Sequence, residues 1–338
     1  MGETIAMPSL VIGGTGFIGS WITRELLAKG ETVCATCRRG LPRDTELAAL
    51  PVKWVAADVL DPPSIRYAME NCEYVYDASG AISMGSQQKN SVYETNYTGA
   101  MNVLNAAKEM RVKRLTRIGS IFGLGSTKKD QIPVNESAEF NLKHFRIPYF
   151  RAKRDIELAI PQFLDEGVNI VSVFPGFCSG PNDAHISSSQ FILAALQNKI
   201  PGYFKGGICQ IDVRDAAEGM IQAMYHGKTG EKYLVTGYNI TYKEIMQTLA
   251  KVTGRRLPQT QLPLSMVELF CRSLDFVGSP YFNTGMALIL QRTWWYDDTK
   301  AKLEFGAVYR SLEGSYTDAV RWFLHNKYLT PAQAGKIV

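Results

Sequence analysis

From residue 9 to residue 174, short apolar runs alternate with longer segments in which apolar residues recur every three or four positions. The apolar runs are SLVIG, ETVCATC, VKWVAAD, CEYVYDAS, RLTRIGS and NIVSVFP. Short runs rich in β-branched and aromatic residues predict strands, and the spacing of three or four predicts helices between them. The alternation therefore predicts an α/β fold built on a doubly wound parallel sheet.

The periodic segments and the loops divide the chain into two parts. Helices are predicted over residues 17–29, 91–109, 213–226, 241–253, 265–274 and 312–325. Beyond residue 174 the pattern becomes irregular, and GFCSGPND and IPGYFKGG are interpreted as loops because Gly and Pro favour turns. We expect one domain over residues 1–174 plus 207–235, and a smaller C-terminal lobe over residues 175–206 plus 236–338.

Composition narrows the class of protein. The 338 residues are 46% hydrophobic and 20% charged, which is typical of a globular chain rather than a disordered or fibrous one. The net charge of +5 is mild and the basic residues are scattered, which argues against nucleic acid as a partner. No apolar run reaches 18 residues and the first ten residues lack a signal pattern, so we expect no membrane span and a cytoplasmic location.

Cysteines and histidines give no sign of a metal or disulfide framework. Six dispersed cysteines are most simply free thiols in a reducing compartment. Cys34 and Cys37 form a C-x-x-C, but they lie in a predicted strand, where residues three apart point to opposite faces. The four histidines have no ligand spacing with one another, so no metal is expected.

A glycine-rich segment, GGTGFIG at residues 13–19, joins the first predicted strand to the first predicted helix. Gly14, Gly16 and Gly19 match the G-x-G-x-x-G pattern, which gives a tight turn, close approach of a pyrophosphate and close helix packing. The helix N-terminus then faces the phosphate charge. The whole segment is therefore predicted to bind a dinucleotide: Gly13, Gly14, Thr15, Gly16, Phe17, Ile18 and Gly19.

Three further residues suit hydride chemistry. Tyr149 and Lys153 are four positions apart, which places both on one helix face. A nearby ammonium group favours the phenolate, so that proton exchange becomes accessible near neutral pH. Ser120, at the end of a predicted strand, is placed to hydrogen-bond a substrate carbonyl. We predict these three residues to be catalytic.

Together these motifs resemble the extended short-chain dehydrogenase/reductase family over almost the whole chain, and the resemblance implies a Rossmann fold. It implies adenine contacts for Asp58 and Val59, and contacts beside the nicotinamide ribose for the DASGA segment. FPGFCSGPND resembles the family's R-P-x-x-x-x-G-P segment, which implies cofactor contacts at its start. The residues so assigned are Ala78, Ser79, Gly80, Tyr149, Lys153, Pro175 and Gly176. Asn96 matches an Asn that supports a proton-relay water in some relatives, although a structural role in its helix is an equal alternative.

Within the family the likeness is to dihydroflavonol-4-reductase-like, 3β-hydroxysteroid dehydrogenase-like and hopanoid-associated sugar-epimerase-like proteins, especially over residues 227–263 and 295–329. The chain departs from the family at Phe174, where an Arg is usual, and this predicts a less polar wall. The resemblance also leaves a homodimer open.

Charge indicates the cofactor. An NAD site places an acid about twenty residues past the glycines, where this chain has Thr36, Cys37, Arg38 and Arg39. A guanidinium there pairs with a 2′-phosphate, so NADP(H) is predicted. The alternative is that Arg38 is only a solvated loop charge.

Aromatic and aliphatic residues near the predicted site favour a hydrophobic carbonyl compound as substrate. The candidates are Ile82, Met84, Ser120, Phe122, Phe145, Phe177 and Tyr203, with Phe140 and Phe174 as further aromatic candidates. Lys205, Arg272 and Arg292 keep a sugar diphosphate open. Residues 285–296, with Trp294 and Trp295, are interpreted as a buried helix, or else as a membrane-surface contact.

The sequence therefore predicts an NADP(H)-dependent reductase of a hydrophobic ketone, flavonoid-, steroid-, quinone- or polyketide-like, or the reverse reaction, with Tyr149 as proton donor. One alternative is a nucleotide-sugar epimerase or dehydratase that retains its cofactor. Another is a non-catalytic NADP(H)-binding sensor, against which the intact set of Ser120, Tyr149 and Lys153 argues.

Overall fold

The computed structural model describes residues 8–83, 89–127, 132–145, 147–276 and 283–337. Within these residues the chain forms ten strands: β1 Ser9–Ile12, β2 Val33–Cys37, β3 Lys53–Ala56, β4 Tyr74–Asp77, β5 Arg114–Ile118, β6 Ile170–Pro175, β7 Phe177–Ser179, β8 Gly207–Asp212, β9 Lys232–Val235 and β10 Tyr238–Thr241. All six strands predicted from the apolar runs are present.

Fifteen helices lie in the same residues: α1 Phe17–Ala28, α2 Thr45–Ala48, α3 Pro62–Met69, α4 Lys89–Tyr93, α5 Gly99–Glu109, α6 Ile121–Leu124, α7 Pro148–Asp165, α8 Gln190–Leu196, α9 Val213–His226, α10 Tyr242–Thr253, α11 Leu264–Phe276, α12 Thr284–Leu290, α13 Thr299–Phe305, α14 Leu312–His325 and α15 Pro331–Ala334. A π-helical segment, Glu94–Thr98, joins α4 to α5.

Seven strands form one parallel sheet in the order β3-β2-β1-β4-β5-β6-β9. The chain runs outward from β1 to β3 and then returns to place β4 on the other side of β1. This is the topological switch point of a doubly wound sheet, where a crevice opens beyond the carboxyl ends of the strands. The predicted Rossmann-like α/β fold is thereby confirmed.

Alternating side chains of the sheet supply two cores. On β1, Leu10 and Ile12 pack with α3, α5 and α7, whereas Val11 packs with α1 and α9 on the opposite face. Every residue of β1 and of β2 is buried, as expected for strands covered on both faces. Two helical layers therefore hold the strand ends rigidly around the crevice.

A second sheet of three strands, in the order β10-β8-β7, belongs to the C-terminal part of the chain. Strand β8 pairs parallel to β7 and antiparallel to β10. A third core, which includes Phe150, Trp294 and Phe323, packs beside this sheet. The division into two units at the predicted boundaries stays a prediction, although β8 lies in this smaller sheet and not in the larger one.

Three local expectations were wrong. The segment GFCSGPND contains strand β7 rather than only a loop. The predicted continuous helix over residues 91–109 is interrupted by the π segment. The predicted buried helix over residues 285–296 ends at Leu290, and Trp294 then forms an isolated parallel β-bridge with β8 through backbone hydrogen bonds with Gly207 and Cys209.

Candidate active site

The turn after β1 carries the glycine-rich segment. Gly13 has a φ of +77°, which favours glycine, and its N–H donates to Thr36 Oγ1 at 2.9 Å. A Cβ on Gly14 would lie 2.7 Å from Ala35 Cβ, and one on Gly19 would lie 2.1 Å from the Gly13 carbonyl oxygen. Only glycine fits at these two close approaches, so the turn is held tightly against β2 and α1.

Helix α1 begins at this turn without a side-chain cap. Gly16 stands at the N-cap position, no side-chain hydrogen bond caps the helix there, and no acidic residue lies in its first turn. The first N–H groups of a helix have no partner inside the helix, and the helix dipole adds partial positive charge there. Phe17 and Ile18 are in this first turn, and Thr15 precedes it. An anionic group such as a pyrophosphate fits this position.

The segments predicted to contact adenosine lie beside the glycine turn. Arg38 and Arg39 are exposed directly after β2, two and three residues beyond the Thr36 hydroxyl that binds Gly13. Asp58 accepts the Leu60 N–H at 3.0 Å. The Val59 side chain packs on Gly99, where a Cβ would lie 2.6 Å from it.

The segment after β4 links the glycine turn to the predicted catalytic residues. The Ala78 N–H donates to the Ile12 carbonyl oxygen at 2.9 Å, and Ser79 donates to Asp77 through both its N–H and its hydroxyl. A Cβ on Gly80 would lie 3.5 Å from Lys153 Nζ. Residues 78–80 therefore extend from the end of β1, beside the glycine turn, to Lys153.

Asn96 lies in the π segment with half of its amide unused. Its Nδ2 donates to the carbonyl oxygens of Ala81 and Val92 at 2.7 and 2.8 Å. Its Oδ1 is buried and accepts no hydrogen bond from the described residues. A buried acceptor without a partner is costly, so this atom marks a place for a water or a ligand hydroxyl. It faces Gly80, whose added Cβ would lie 3.0 Å away.

The structure brings Ser120, Tyr149 and Lys153 together. Ser120 follows β5 and caps α6, accepting the Phe122 N–H at 3.3 Å. The Tyr149 hydroxyl lies 3.5 Å from Ser120 Oγ, and Lys153 Nζ lies 5.7 Å from the centroid of the tyrosine ring. All three side chains are buried. Tyr149 and Lys153 share one face of α7, as their spacing predicted.

Burial controls the ionisation of this group. It raises the pKa of Tyr149, and the hydrogen bond with Ser120 works in the opposite direction. The pKa of Lys153 is lowered to about 8, mainly by burial and also by Arg117, while Asp77 and Glu157 act in the opposite direction. The sequence led us to expect a cation-lowered pKa for Tyr149, whereas in this structure the pKa lies above its ordinary value.

Three of the predicted substrate residues meet beside Tyr149. The Phe122 ring lies 6.0 Å from the Tyr149 ring, stacks on Phe150 at 4.5 Å and meets Phe177 edge-on at 5.7 Å. Phe145 meets Phe150 edge-on at 6.4 Å. These rings form an apolar wall that continues into the C-terminal core.

The other predicted substrate and cofactor residues are placed differently. Ile82 is 57% exposed, and Tyr203 packs against the C-terminal core with its backbone bonded to Thr260 and Leu262. Pro175 is half-buried and Gly176 is buried, both at the end of β6. Met84 lies outside the described residues.

Phe174 does not form the less polar wall that its departure from the family pattern suggested. Its side chain is completely buried, and a Cβ on Gly119 would lie 2.4 Å from its ring. Its ring therefore packs against the backbone of Gly119, the residue before Ser120.

Two charged residues at the site were missed by sequence reasoning. Arg117 and Glu157 form a buried ion pair at 2.6 Å. The available signal was the spacing of four between Lys153 and Glu157, which places the carboxylate on the lysine's side of α7. Within the described ranges, no group of three or more His, Cys, Asp or Glu residues is arranged to hold a metal ion. All six cysteines are free and buried.

The sequence matches a family model described as NAD dependent epimerase/dehydratase family over residues 9–239. A putative dihydroflavonol 4-reductase of Synechocystis is 29% identical over 330 residues, covering 94% of this chain and 95% of that protein. Sterol demethylase protein B of Methylococcus capsulatus is 27% identical, covering 94% and 98%. The family and the reductase relative support an NAD(P)-dependent oxidoreductase.

Solved structures share the fold. One of them, PA4631 from Pseudomonas aeruginosa, described as a nucleoside-diphosphate-sugar epimerase, superimposes with a TM-score of 0.80 at 22% identity, covering 96% of this chain and all of that chain. A likeness at this level of identity establishes the architecture alone. Among the described residues, no helix is both long enough and apolar enough to span a bilayer.

Proposed function

The chain belongs to the NAD dependent epimerase/dehydratase family, the extended short-chain dehydrogenases/reductases, and from that membership we propose an NADP(H)-dependent reductase. Its substrate is a ketone of a hydrophobic small molecule, which it converts to a secondary alcohol or forms in the reverse direction. One observation carries the proposal: the hydroxyls of Tyr149 and Ser120 lie 3.5 Å apart, with the Lys153 ammonium near the same tyrosine ring.

The residues present fit a nicotinamide dinucleotide. The glycine turn and the uncapped start of α1 suit the pyrophosphate, and Arg38 and Arg39 suit a 2′-phosphate. We assign the adenosine contacts to Asp58 and Val59, which follow β3. The unpartnered Asn96 Oδ1 and the Lys153 ammonium fit the hydroxyls of the nicotinamide ribose, beside the segments 78–80 and 175–176. When bound, the nicotinamide supplies the hydride.

The side chains of this chain perform the remaining work. Ser120 donates its hydroxyl to the ketone oxygen, and Tyr149 gives that oxygen its proton as the alcohol forms. The Lys153 ammonium holds the ribose and stabilises the phenolate that remains. Phe122 and Phe177 exclude water from this group, and the exclusion strengthens each electrostatic contact.

The test is NADPH oxidation against a panel of flavonoid, steroid, quinone and polyketide-like ketones, with NADH in parallel. We expect turnover that prefers NADPH and falls about 10²–10⁴-fold in Tyr149→Phe, because the proton donor is lost. A ring without its hydroxyl leaves the packing against Phe122 intact, so the thermal unfolding midpoint serves as the control. Full turnover by Tyr149→Phe with the preferred ketone would refute the mechanism.

Arg292 supports a second candidate, a nucleotide-sugar epimerase or dehydratase that retains its cofactor. Its guanidinium donates to Ser126 Oγ at 2.8 Å, contacts His144 Nε2 at 3.0 Å and lies over the Phe145 ring. Among the described residues no carboxylate pairs with it, which leaves a cation near the apolar wall for a diphosphate. Net consumption of NADPH favours the reductase, whereas turnover of a sugar nucleotide without net consumption favours this alternative.

A non-catalytic sensor is the third candidate. Tight NADPH binding without turnover of any ketone or sugar nucleotide would favour it over both enzymes.

A further inference from the structure

A buried ion pair lies between β5 and α7, beside the seven-stranded sheet. Arg117 on β5 and Glu157 on α7 are joined at 2.6 Å, with only 3% and 1% of their side chains exposed. Replacing buried ion pairs with apolar residues of similar volume is often neutral or stabilising. The pair therefore calls for an explanation other than the stability of the fold.

The pair lies next to the predicted catalytic residues. Glu157 is one helical turn beyond Lys153, and Arg117 precedes Ser120 by three residues at the end of β5. The guanidinium also reaches Ser172 Oγ at 3.3 Å, and the second carboxylate oxygen lies 3.2 Å from Lys232 Nζ. These neighbours fix the direction in which both charges face.

We propose that Arg117 and Glu157 are positioning residues whose opposite charges balance the field at the Lys153 ammonium. The proposal rests on the proposed function only in giving Lys153 the task of binding the nicotinamide ribose. Arg117 disfavours the charged lysine and Glu157 favours it, so each charge cancels part of the effect of the other.

The electrostatic surroundings of Lys153 agree with this arrangement. Its pKa is lowered to about 8, with burial as the largest cause; Arg117 also lowers this pKa, while Asp77 and Glu157 raise it. The element α6 brings no titratable side chain, and the π segment brings the uncharged Asn96, the exposed Glu94 and Tyr97, which stacks on Tyr93. On α4, Tyr93 bonds instead to Asp155. Along α7 itself, Tyr149 is the remaining titratable neighbour.

Removing the charge of Arg117 and removing the charge of Glu157 should therefore shift the pKa of Lys153 in opposite directions. Arg117→Met leaves Glu157 facing Lys153 and raises the pH at which the lysine loses its proton, by about one unit. Glu157→Gln leaves Arg117 unbalanced and lowers that pH by a similar amount. The double variant should lie close to the original protein, because both contributions are removed together.

The primary measurement is an NMR titration of protein labelled with ¹³C at lysine Cε, with the Lys153 signal assigned from Lys153→Arg. The second is the dissociation constant of NADPH against pH, followed by its fluorescence. A higher pH for the loss of lysine charge should extend tight NADPH binding to higher pH in Arg117→Met, and Glu157→Gln should shorten that range. Ser172→Ala is the matched control, because it removes a contact of Arg117 without changing charge.

Shifts in the same direction in both variants, or no shift in either, would overturn the proposal and leave a purely structural pair. Should either variant fail to fold, Lys232→Gln decides, because the Lys232 side chain is 30% exposed, lies 3.2 Å from one carboxylate oxygen of Glu157 and otherwise lies over the Phe174 ring. Loss of the Lys232 cation should raise the pKa of Lys153 slightly, and an unchanged or lowered pKa would count against the proposal. Failure of the original protein to bind NADPH would refute the proposed function while the NMR titration still tests the pair.

Discussion

The two sides of the crevice are built on different principles. The cofactor side, which is the glycine turn that we propose to bind the cofactor, depends on its backbone. A Cβ added at Gly14 or at Gly19 would lie only 2.7 or 2.1 Å from a neighbouring atom. The substrate side, which is the apolar wall that we propose to face the substrate, is built from side chains of distant segments. Phe122 packs there between Phe150, Phe177 and Trp294. A backbone turn tolerates no substitute, whereas a packed apolar wall accepts another side chain of similar volume. We therefore expect the glycine turn to tolerate fewer substitutions than the apolar wall.

The largest effect on NADPH binding should come from adding a methyl group at Gly19 on the cofactor side. In Gly19→Ala the added Cβ would lie 2.1 Å from the Gly13 carbonyl oxygen, so the turn or α1 must shift. We expect NADPH binding to weaken and turnover to fall by about 100-fold, because a misplacement of about 1 Å can cost that much in rate. Titration of NADPH fluorescence measures this loss.

Two glycine variants control that result. In Gly16→Ala the added Cβ would meet only the Gly13 oxygen, at 3.2 Å, so the fold should persist while the approach of the pyrophosphate is hindered. In Gly30→Ala the Cβ meets nothing within 4 Å, so only the strain of its positive φ is felt and binding should be retained. Equal binding by Gly19→Ala and Gly30→Ala would contradict the backbone account of this side.

The substrate side should respond to volume. We expect Phe122→Ala to lower the free energy of unfolding by about 3–5 kcal/mol, because it leaves a cavity among three rings. Phe122→Leu should cost less than about 1.5 kcal/mol and alter the ranking of ketones rather than abolish turnover. Urea unfolding and kcat/KM across the panel measure the two effects. An equal loss of stability in both variants would show that this wall is not tolerant.

The same contrast explains what the sequence was able to predict. Local patterns determine the strands and the glycine turn, so the six strands and the approach of Ser120, Tyr149 and Lys153 were foreseeable. The roles of those three residues stay predictions. The π segment was missed because one inserted residue barely disturbs a spacing of three or four.

Contacts between distant segments account for the remaining errors. Trp294 was assigned to a helix, but its backbone hydrogen bonds with β8, about ninety residues earlier, place it in a β-bridge. Phe174 was placed in a wall because it stands where the family pattern has an Arg, yet the absence of a side chain at Gly119 leaves room for its ring inside the core. No spacing within one segment reveals such pairings.

A smaller effect is expected at the 2′-phosphate. Arg38→Ala should weaken NADPH binding about tenfold and leave NADH binding unchanged, because only NADPH carries the additional phosphate. Arg39→Ala is the matched variant, since both arginines are exposed after β2. The ratio of the two dissociation constants, measured at low and at high salt, separates a paired guanidinium from a solvated charge. A ratio unchanged in both variants would favour NAD as the cofactor.

The smallest effect should come from Arg292, and it tests the comparison on the substrate side. If the wall serves an apolar ketone, Arg292→Gln leaves kcat/KM little changed, because the amide still reaches toward Ser126 and no substrate charge is lost. For a sugar diphosphate the same variant would lose a charged partner and raise KM sharply while leaving the apolar ketones unaffected. Measurement of both substrate classes with one variant therefore decides whether this side of the crevice reads shape alone or shape together with charge.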